Sequence, residues 1–235
     1  MKHVISKVVM ACGLALGLTS GVAVAQTAVG PAKPDIERGQ QLYMNGDPAR
    51  GIATCVACHG VEGMSMVPIY PHIAGQSYEY IFAQLKNFKN IEGKNYSHRR
   101  NQNAMLMAPN VVQMTEEEMK DLALYVSSLE LTTPSIAEHA ADQELVQRGR
   151  QIWRGGIPER NVPACASCHG ADGNGIPGQY PRLSGQVPSY LYEQLIAFAD
   201  GERDNAGTEN HMAEIANRMS RQDIKAVADY AAGIR

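Results

Sequence analysis

The sequence has little surplus charge, no run of basic residues and no strand-like alternation of apolar and polar positions. Lys and Arg number 21 against 24 Asp and Glu. A chain so balanced lacks the electrostatic footprint of a nucleic-acid-binding protein, and its attraction to an anionic membrane is expected to be weak. Neither the hydrophobic fraction of 44% nor the charged fraction of 19% departs towards disorder or a collagen-like chain. Without period-two alternation there is no signal for strands with one buried face, and the fold is expected to be all-α. Cysteine is scarce as well, with five in 235 residues, a length that suits two small domains.

Residues 1–25 read as a secretory signal peptide. Lys2 and Lys7 make a short basic start, an apolar run follows from Val8 to Val24, and Ala23-Val24-Ala25 supplies the cleavage site, so the mature chain is expected to begin at Gln26. A retained anchor is the competing reading, but Gly13, Gly17, Thr19, Ser20 and Gly21 interrupt the run. Lipidation at Cys12 is disfavoured, because cleavage there would leave most of the run on the product. The expected location is the periplasm. Loss of a leader that holds Lys2 and Lys7 and no acid takes the net charge from −3 to −5. With Cys12 gone, four cysteines remain, and none is left over for a disulfide.

Those four occur as one pattern written twice: Cys55-Val56-Ala57-Cys58-His59 and Cys165-Ala166-Ser167-Cys168-His169. Cys-x-x-Cys-His is the attachment signature of a c-type haem. Two thiols at this spacing can each form a thioether to one vinyl group of a porphyrin, and the adjacent histidine then meets the iron from one face. A dithiol redox pair does not need the histidine or a second copy. The separation between the pairs far exceeds that of a zinc ribbon. The expected cofactors are two covalently bound haem c groups.

The repeat extends beyond these motifs. At an offset of 110, Arg38-Gly39 matches Arg148-Gly149, Tyr70-Pro71 matches Tyr180-Pro181, Gly75-Gln76 matches Gly185-Gln186, and Tyr80, Gln84 and Phe88 match Tyr190, Gln194 and Phe198. The offset then drops to 105, which leaves five extra residues in the first copy between Phe88 and Met107. Each copy predicts a helix starting near Asp35 or Asp142, a second over about 77–90 or 188–200, and a third after a capping box at Thr115 or Ser220. Gly39 and Gly149 sit inside the first helices at a cost of roughly 1 kcal/mol relative to Ala, which points to a helix crossing there. With Leu131–Ser135 as linker, the expected division is a leader over 1–25 and domains over 26–133 and 134–235.

The other iron face decides the chemistry. A Met thioether there closes the site and favours Fe(II), whereas an open face would permit catalysis. The second copy offers only Met212 and Met219. Met219 precedes the N-cap Ser220 in the position of a hydrophobic staple, as Met114 precedes Thr115. Met212 is therefore the expected ligand. Met107 stands in the matching place in the first copy, with Met105 as its competitor. His72, aligned with Arg182, reads as a surface or propionate contact. His98, with Arg99 and Arg100 in the extra segment, reads as part of a solvated loop. His139 reads as exposed.

Two Cys-x-x-Cys-His domains, each with a downstream Met before a capped C-terminal helix, resemble the di-haem cytochrome c4 family over essentially the whole mature chain. The resemblance implies tandem class I cytochrome c folds related by an approximate two-fold axis. It implies that the carbonyls of Pro71 and Pro181 accept the ring N–H of His59 and His169, and that Gly39 and Gly149 meet Tyr125 and Tyr230 where the terminal helices cross. The axial pairs would be His59 with Met107 and His169 with Met212. The implied role is electron transfer rather than catalysis. The implied donor is a cytochrome bc1 complex or a dehydrogenase, and the implied acceptor a terminal oxidase or other reductase. A monomer is expected, with peripheral membrane association left open. The rival readings are an electron-transfer subunit of a flavocytochrome sulfide dehydrogenase type and a di-haem enzyme such as a peroxidase or thiosulfate dehydrogenase.

Overall fold

A computed structural model describes residues 33–90, 92, 94, 97–205 and 210–234. The expected leader, Cys12 and the start at Gln26 lie outside the described residues. The described chain runs twice through the same succession of helices. In the first half these are α1 (Ile36–Asn45), α2 (Val56–His59), α3 (Tyr78–Phe88), α4 (Gln102–Val111) and α5 (Glu116–Ser127). In the second they are α6 (Gln143–Gly155), α7 (Ala166–His169), α8 (Pro188–Ala199), α9 (His211–Asn217) and α10 (Arg221–Gly233). Extended pairing among the described residues is limited to isolated bridges. The fold is all-α and tandem, as expected.

The helices begin where short polar side chains satisfy the first free N–H groups. Asp35 accepts from the Arg38 N–H, Ser77 from Tyr80 and Asp142 from Leu145. Both capping boxes close: Thr115 with Glu118 at the start of α5, and Ser220 with Asp223 at the start of α10. A cap of this kind contributes about 1 kcal/mol.

The frame of each half is a crossing of its first and last long helices, α1 on α5 and α6 on α10. The glycines permit it. A Cβ on Gly39 would lie 2.1 Å from the Asp121 carbonyl oxygen, and one on Gly149 would lie 2.3 Å from that of Ala226. The Cβ atoms of Tyr125 and Tyr230 complete the contact in the two halves. α3 then packs on α5 and α8 on α10.

Two cores result. The first gathers Tyr43, Ile52, Ile81, Leu85, Met114, Met119, Leu122 and Val126. The second gathers Ile152, Trp153, Ile157, Leu191, Val227 and Ala231. Tyr43 and Trp153 hold equivalent places, and each buried ring keeps a partner for its polar atom. The Tyr43 hydroxyl donates to the Gly60 carbonyl at 2.6 Å, and Trp153 Nε1 donates to that of Ala171 at 3.2 Å.

Candidate functional site

Each Cys-x-x-Cys-His motif forms a single helical turn, α2 or α7. The His59 N–H donates to the Cys55 carbonyl at 2.9 Å, and His169 to Cys165 at 3.0 Å. One turn places both sulfurs and the imidazole on a common side. The four thiols are half-buried and unpaired. Burial pushes Cys55 and Cys165 up to about 11. That is opposite to the lowered thiol of a dithiol redox motif and suits a sulfur seated in an apolar pocket.

The two histidines are buried, and each is fixed by the predicted proline. His59 Nδ1 lies 3.0 Å from the Pro71 carbonyl oxygen, and His169 Nδ1 lies 3.0 Å from that of Pro181. A carbonyl only accepts, so Nδ1 carries the proton and Nε2 presents its lone pair. Burial holds both imidazoles below the usual histidine range, in the neutral form that can bind a metal. Tyr70 and Tyr180 stand against the rings, with centroids 6.4 Å from His59 and 5.8 Å from His169. They were visible in the sequence as repeated Tyr-Pro pairs.

The methionines separate by exposure. Met114 and Met119 are buried in the first core, and Met219 packs on the second. Met105 is 71% exposed, whereas Met107, two residues on along α4, is half-buried and packs against the same core as Cys55 and Val56. Met212 is half-buried in the first turn of α9. The helices α4 and α9 that carry these two residues were not anticipated. α4 contains Pro109, and α9 is only seven residues long.

Three expectations need correction. His72 is not at the surface. It is 6% exposed, its Nδ1 accepts from the Ser65 N–H at 3.0 Å, and its Nε2 lies 2.8 Å from the Ser135 hydroxyl. The His98-Arg99-Arg100 segment is not a solvated loop. Arg99 is 3% exposed and pairs across an antiparallel bridge with Arg203, while His98 bonds Asp204. His139 is half-buried, because Asp229 accepts from its backbone N–H and faces its ring. In each case a partner lies far along the chain, Ser135 for His72, Arg203 and Asp204 for the arginine segment and Asp229 for His139, so no local pattern announced it.

Arg99 and Arg203 mark the face between the halves. Arg99 donates to Gln84, Gln194 and Tyr190, and Arg203 donates to Gln194, Gln84 and Tyr80. Each guanidinium also lies over a ring of its own half, Arg99 over Phe88 at 4.3 Å and Arg203 over Phe198 at 4.4 Å. Gln84 and Gln194, like Tyr80 and Tyr190, are repeat mates, so the cluster follows the two-fold relation. Burial and the Arg203 charge push Arg99 below the usual arginine range. Among the described residues, neither guanidinium is paired with a carboxylate.

The residues fit a covalently held, iron-bearing ring. His169 Nε2 is buried without a partner, which suits a nitrogen made to bind iron. The Nε atoms of Arg99 and Arg203 are also buried without a partner. Two buried cations are costly unless an anion joins them, and the propionates of a haem are a group that could supply that charge. Among the described residues, no group of three or more His, Cys, Asp or Glu is arranged to hold a bare ion.

Comparison with known proteins gives a consistent answer. The sequence profile described as Cytochrome c matches twice, over residues 36–130 and 146–233. Cytochrome c4 of Thiocapsa roseopersicina is 40% identical over 197 residues, which cover 80% of this chain and 93% of that protein. A thiosulfate dehydrogenase electron acceptor of Stutzerimonas stutzeri is 30% identical over 197 residues, covering 83% of this chain and 86% of that one. The crystal structure of reduced recombinant cytochrome c4 from Pseudomonas stutzeri superposes with a TM-score of 0.69 at 30% identity, covering 86% of this chain and all of that one.

Proposed function

This chain belongs to the cytochrome c family, as a tandem di-haem member of the cytochrome c4 type, and from that premise we propose that it is a periplasmic electron carrier with both irons closed by methionine. That it is an electron-transfer protein with two covalent haem c groups, and not an enzyme, follows from the family. The proposal concerns its ligands, partners and location.

When bound, each haem supplies an iron that alternates between Fe(III) and Fe(II). The protein does the rest. Cys55 and Cys58 anchor one ring, and Cys165 and Cys168 the other. His59 and His169 present Nε2 while Pro71 and Pro181 hold their Nδ1 protons. Met107 and Met212 would supply the thioethers that complete the iron ligation and favour the reduced state. Arg99 and Arg203, buried between the halves, would offer positive charge to the propionates. The observation that carries the reading is its duplication: each half combines a proline-held, neutral histidine with a half-buried methionine on a helix further along the chain. A catalytic haem would need one face left open.

The protein takes electrons from a cytochrome bc1 complex or a periplasmic dehydrogenase and passes them to a terminal oxidase or other reductase. The thiosulfate dehydrogenase electron acceptor among its relatives favours a sulfur-oxidising dehydrogenase as donor. Export through the leader over 1–25 places it in the periplasm. The test is native purification from an osmotic-shock fraction, followed by anaerobic mixing of the ferric protein with reduced donors. A free protein beginning at Gln26, reduced at both haems by a dehydrogenase, is expected. A flavoprotein retained in equal amount through gel filtration would make it an enzyme subunit instead, and turnover of peroxide would make it an enzyme.

A further inference from the structure

The peptide unit that orients each haem histidine is gripped from the opposite half of the molecule. Pro71 C=O and His72 N–H belong to one planar peptide. The oxygen faces His59 Nδ1 at 3.0 Å, and the N–H donates to Gln186 Oε1 at 2.8 Å. Gln186 completes the grip by donating from Nε2 to the His72 carbonyl at 2.7 Å. Gln186 belongs to the second half and is 5% exposed. The same device runs the other way. Pro181 C=O faces His169 Nδ1, the Arg182 N–H donates to Gln76 Oε1 at 3.2 Å, and Gln76 Nε2 donates to the Arg182 carbonyl at 2.8 Å.

Gln76 and Gln186 are repeat mates, so the crossing is reciprocal. A merely adhesive interface has no reason to choose, in both directions, the residue that follows the histidine-orienting proline. The chemistry of an amide gives that choice a consequence. A hydrogen bond accepted from its N–H polarises the peptide and makes its carbonyl a better acceptor, because linked hydrogen bonds reinforce one another. A better acceptor draws harder on the histidine ring proton, makes the imidazole a stronger donor to iron, and favours the ferric state. The grip also fixes where the oxygen points.

We propose that Gln186 and Gln76 are crossed positioning residues, each setting the proximal histidine, and through it the reduction potential, of the haem in the opposite half. This rests on His59 and His169 being iron ligands. The grip on His72 is the shorter, so loss of Gln186 acts more strongly than loss of Gln76.

The experiment uses the full holoprotein and the variants Gln186→Ala and Gln76→Ala, with Gln186→Met and Gln76→Met retaining side-chain volume in case the alanine forms fail to fold. In the reduced state, NMR with 15N-labelled histidine follows exchange of the ring Nδ1–H of His59 and of His169 separately. A redox titration followed by the same resolved signals gives each haem its own potential. Loss of Gln186 is expected to speed exchange at His59 about tenfold, which converts to about 1.4 kcal/mol, and to raise the potential of the first haem with the second unmoved. Loss of Gln76 does the reverse, by less. Equal shifts at both haems, a shift in the variant's own half, or no shift while both rings remain protected would overturn the proposal. Absence of protected ring N–H signals in the unmodified protein would instead overturn the ligand assignment beneath it.

Discussion

The two halves share a frame, but they secure it differently. In the first, Arg38 binds Asp121 at 2.8 Å while Arg50 binds Glu118, so the helix crossing and the capping box each have their own acid. In the second, Asp223 serves both: it caps Ser220, pairs with Arg148 at 2.7 Å and pairs with Arg160 at 2.8 Å. The position corresponding to Asp121 is Ala226. The surfaces differ too. Met66 is 95% exposed and Met105 71% in the first half, and Val61, Val67, Ile69, Leu106 and Val112 are also exposed, whereas in the described part of the second Ile136, at 73%, and Ile176 stand out. What the copies keep in common is the crossing, the proline–histidine bond and the clasp between them. What has drifted is the means of pinning α5 and α10, and the outer face.

The strongest way to break the shared frame is at the crossing. Gly39→Ala and Gly149→Ala each force a methyl into a backbone carbonyl, and each is expected to cost about 3 kcal/mol in denaturant unfolding of the holoprotein, with equal losses in the two halves. Next comes the acid that differs. Asp223→Ala removes a cap and strands two arginines, for about 3 kcal/mol, whereas Asp121→Ala removes one ion pair and the bond it accepts from the Asp35 N–H, for about 2 kcal/mol. Equal losses would show that the doubled role of Asp223 carries no weight.

Acid sharpens the comparison through His72, whose counterpart Arg182 does not titrate in this range. Burial, and then the nearby His59, holds His72 below the usual histidine range. Its folded pKa is therefore depressed below the unfolded value of about 6.5. The neutral ring contributes stability that is present above that value and lost as the pH falls through it. Acidification from about pH 7 to about pH 5 should loosen the clasp on the first half, read as a lower protection factor of the His72 backbone amide relative to its intrinsic exchange rate at each pH, with the protection of the Arg182 amide unchanged. The smallest effect is expected at Met105, where Met105→Ala should leave both the visible spectrum and the stability within about 0.5 kcal/mol of the parent protein.

Much of this was legible in the sequence because it is local. Asp35, Ser77, Thr115, Asp142 and Ser220 mark helix starts through their own side chains, and Met119, Leu122 and Val126 recur at the helical period. Gly39 and Gly149 announced the crossing because a helix interior tolerates glycine only at a cost. The haem motifs could be read because their chemistry dictates spacing along the chain. The face between the halves was not legible. Gln186 meets His72 and Arg99 meets Gln194 from the far half of the chain, and nothing near Arg99 indicates that it is buried. A signal did exist: Gln76, Gln84, Tyr80 and their mates repeat as polar residues beside apolar helix positions, where solvent exposure alone would let them vary. The helices α4 and α9 escaped because Pro109 and short length mask their periodicity.

The central claim is that both irons are closed by a methionine, and the methionine–iron charge-transfer band in the near red of the oxidised holoprotein tests it most directly. The account predicts a band of two-haem strength that falls by half in Met107→Ala, falls by half in Met212→Ala, and stays whole in Met105→Ala. A band of one-haem strength in the parent protein, or one left whole by Met107→Ala or Met212→Ala, would contradict it.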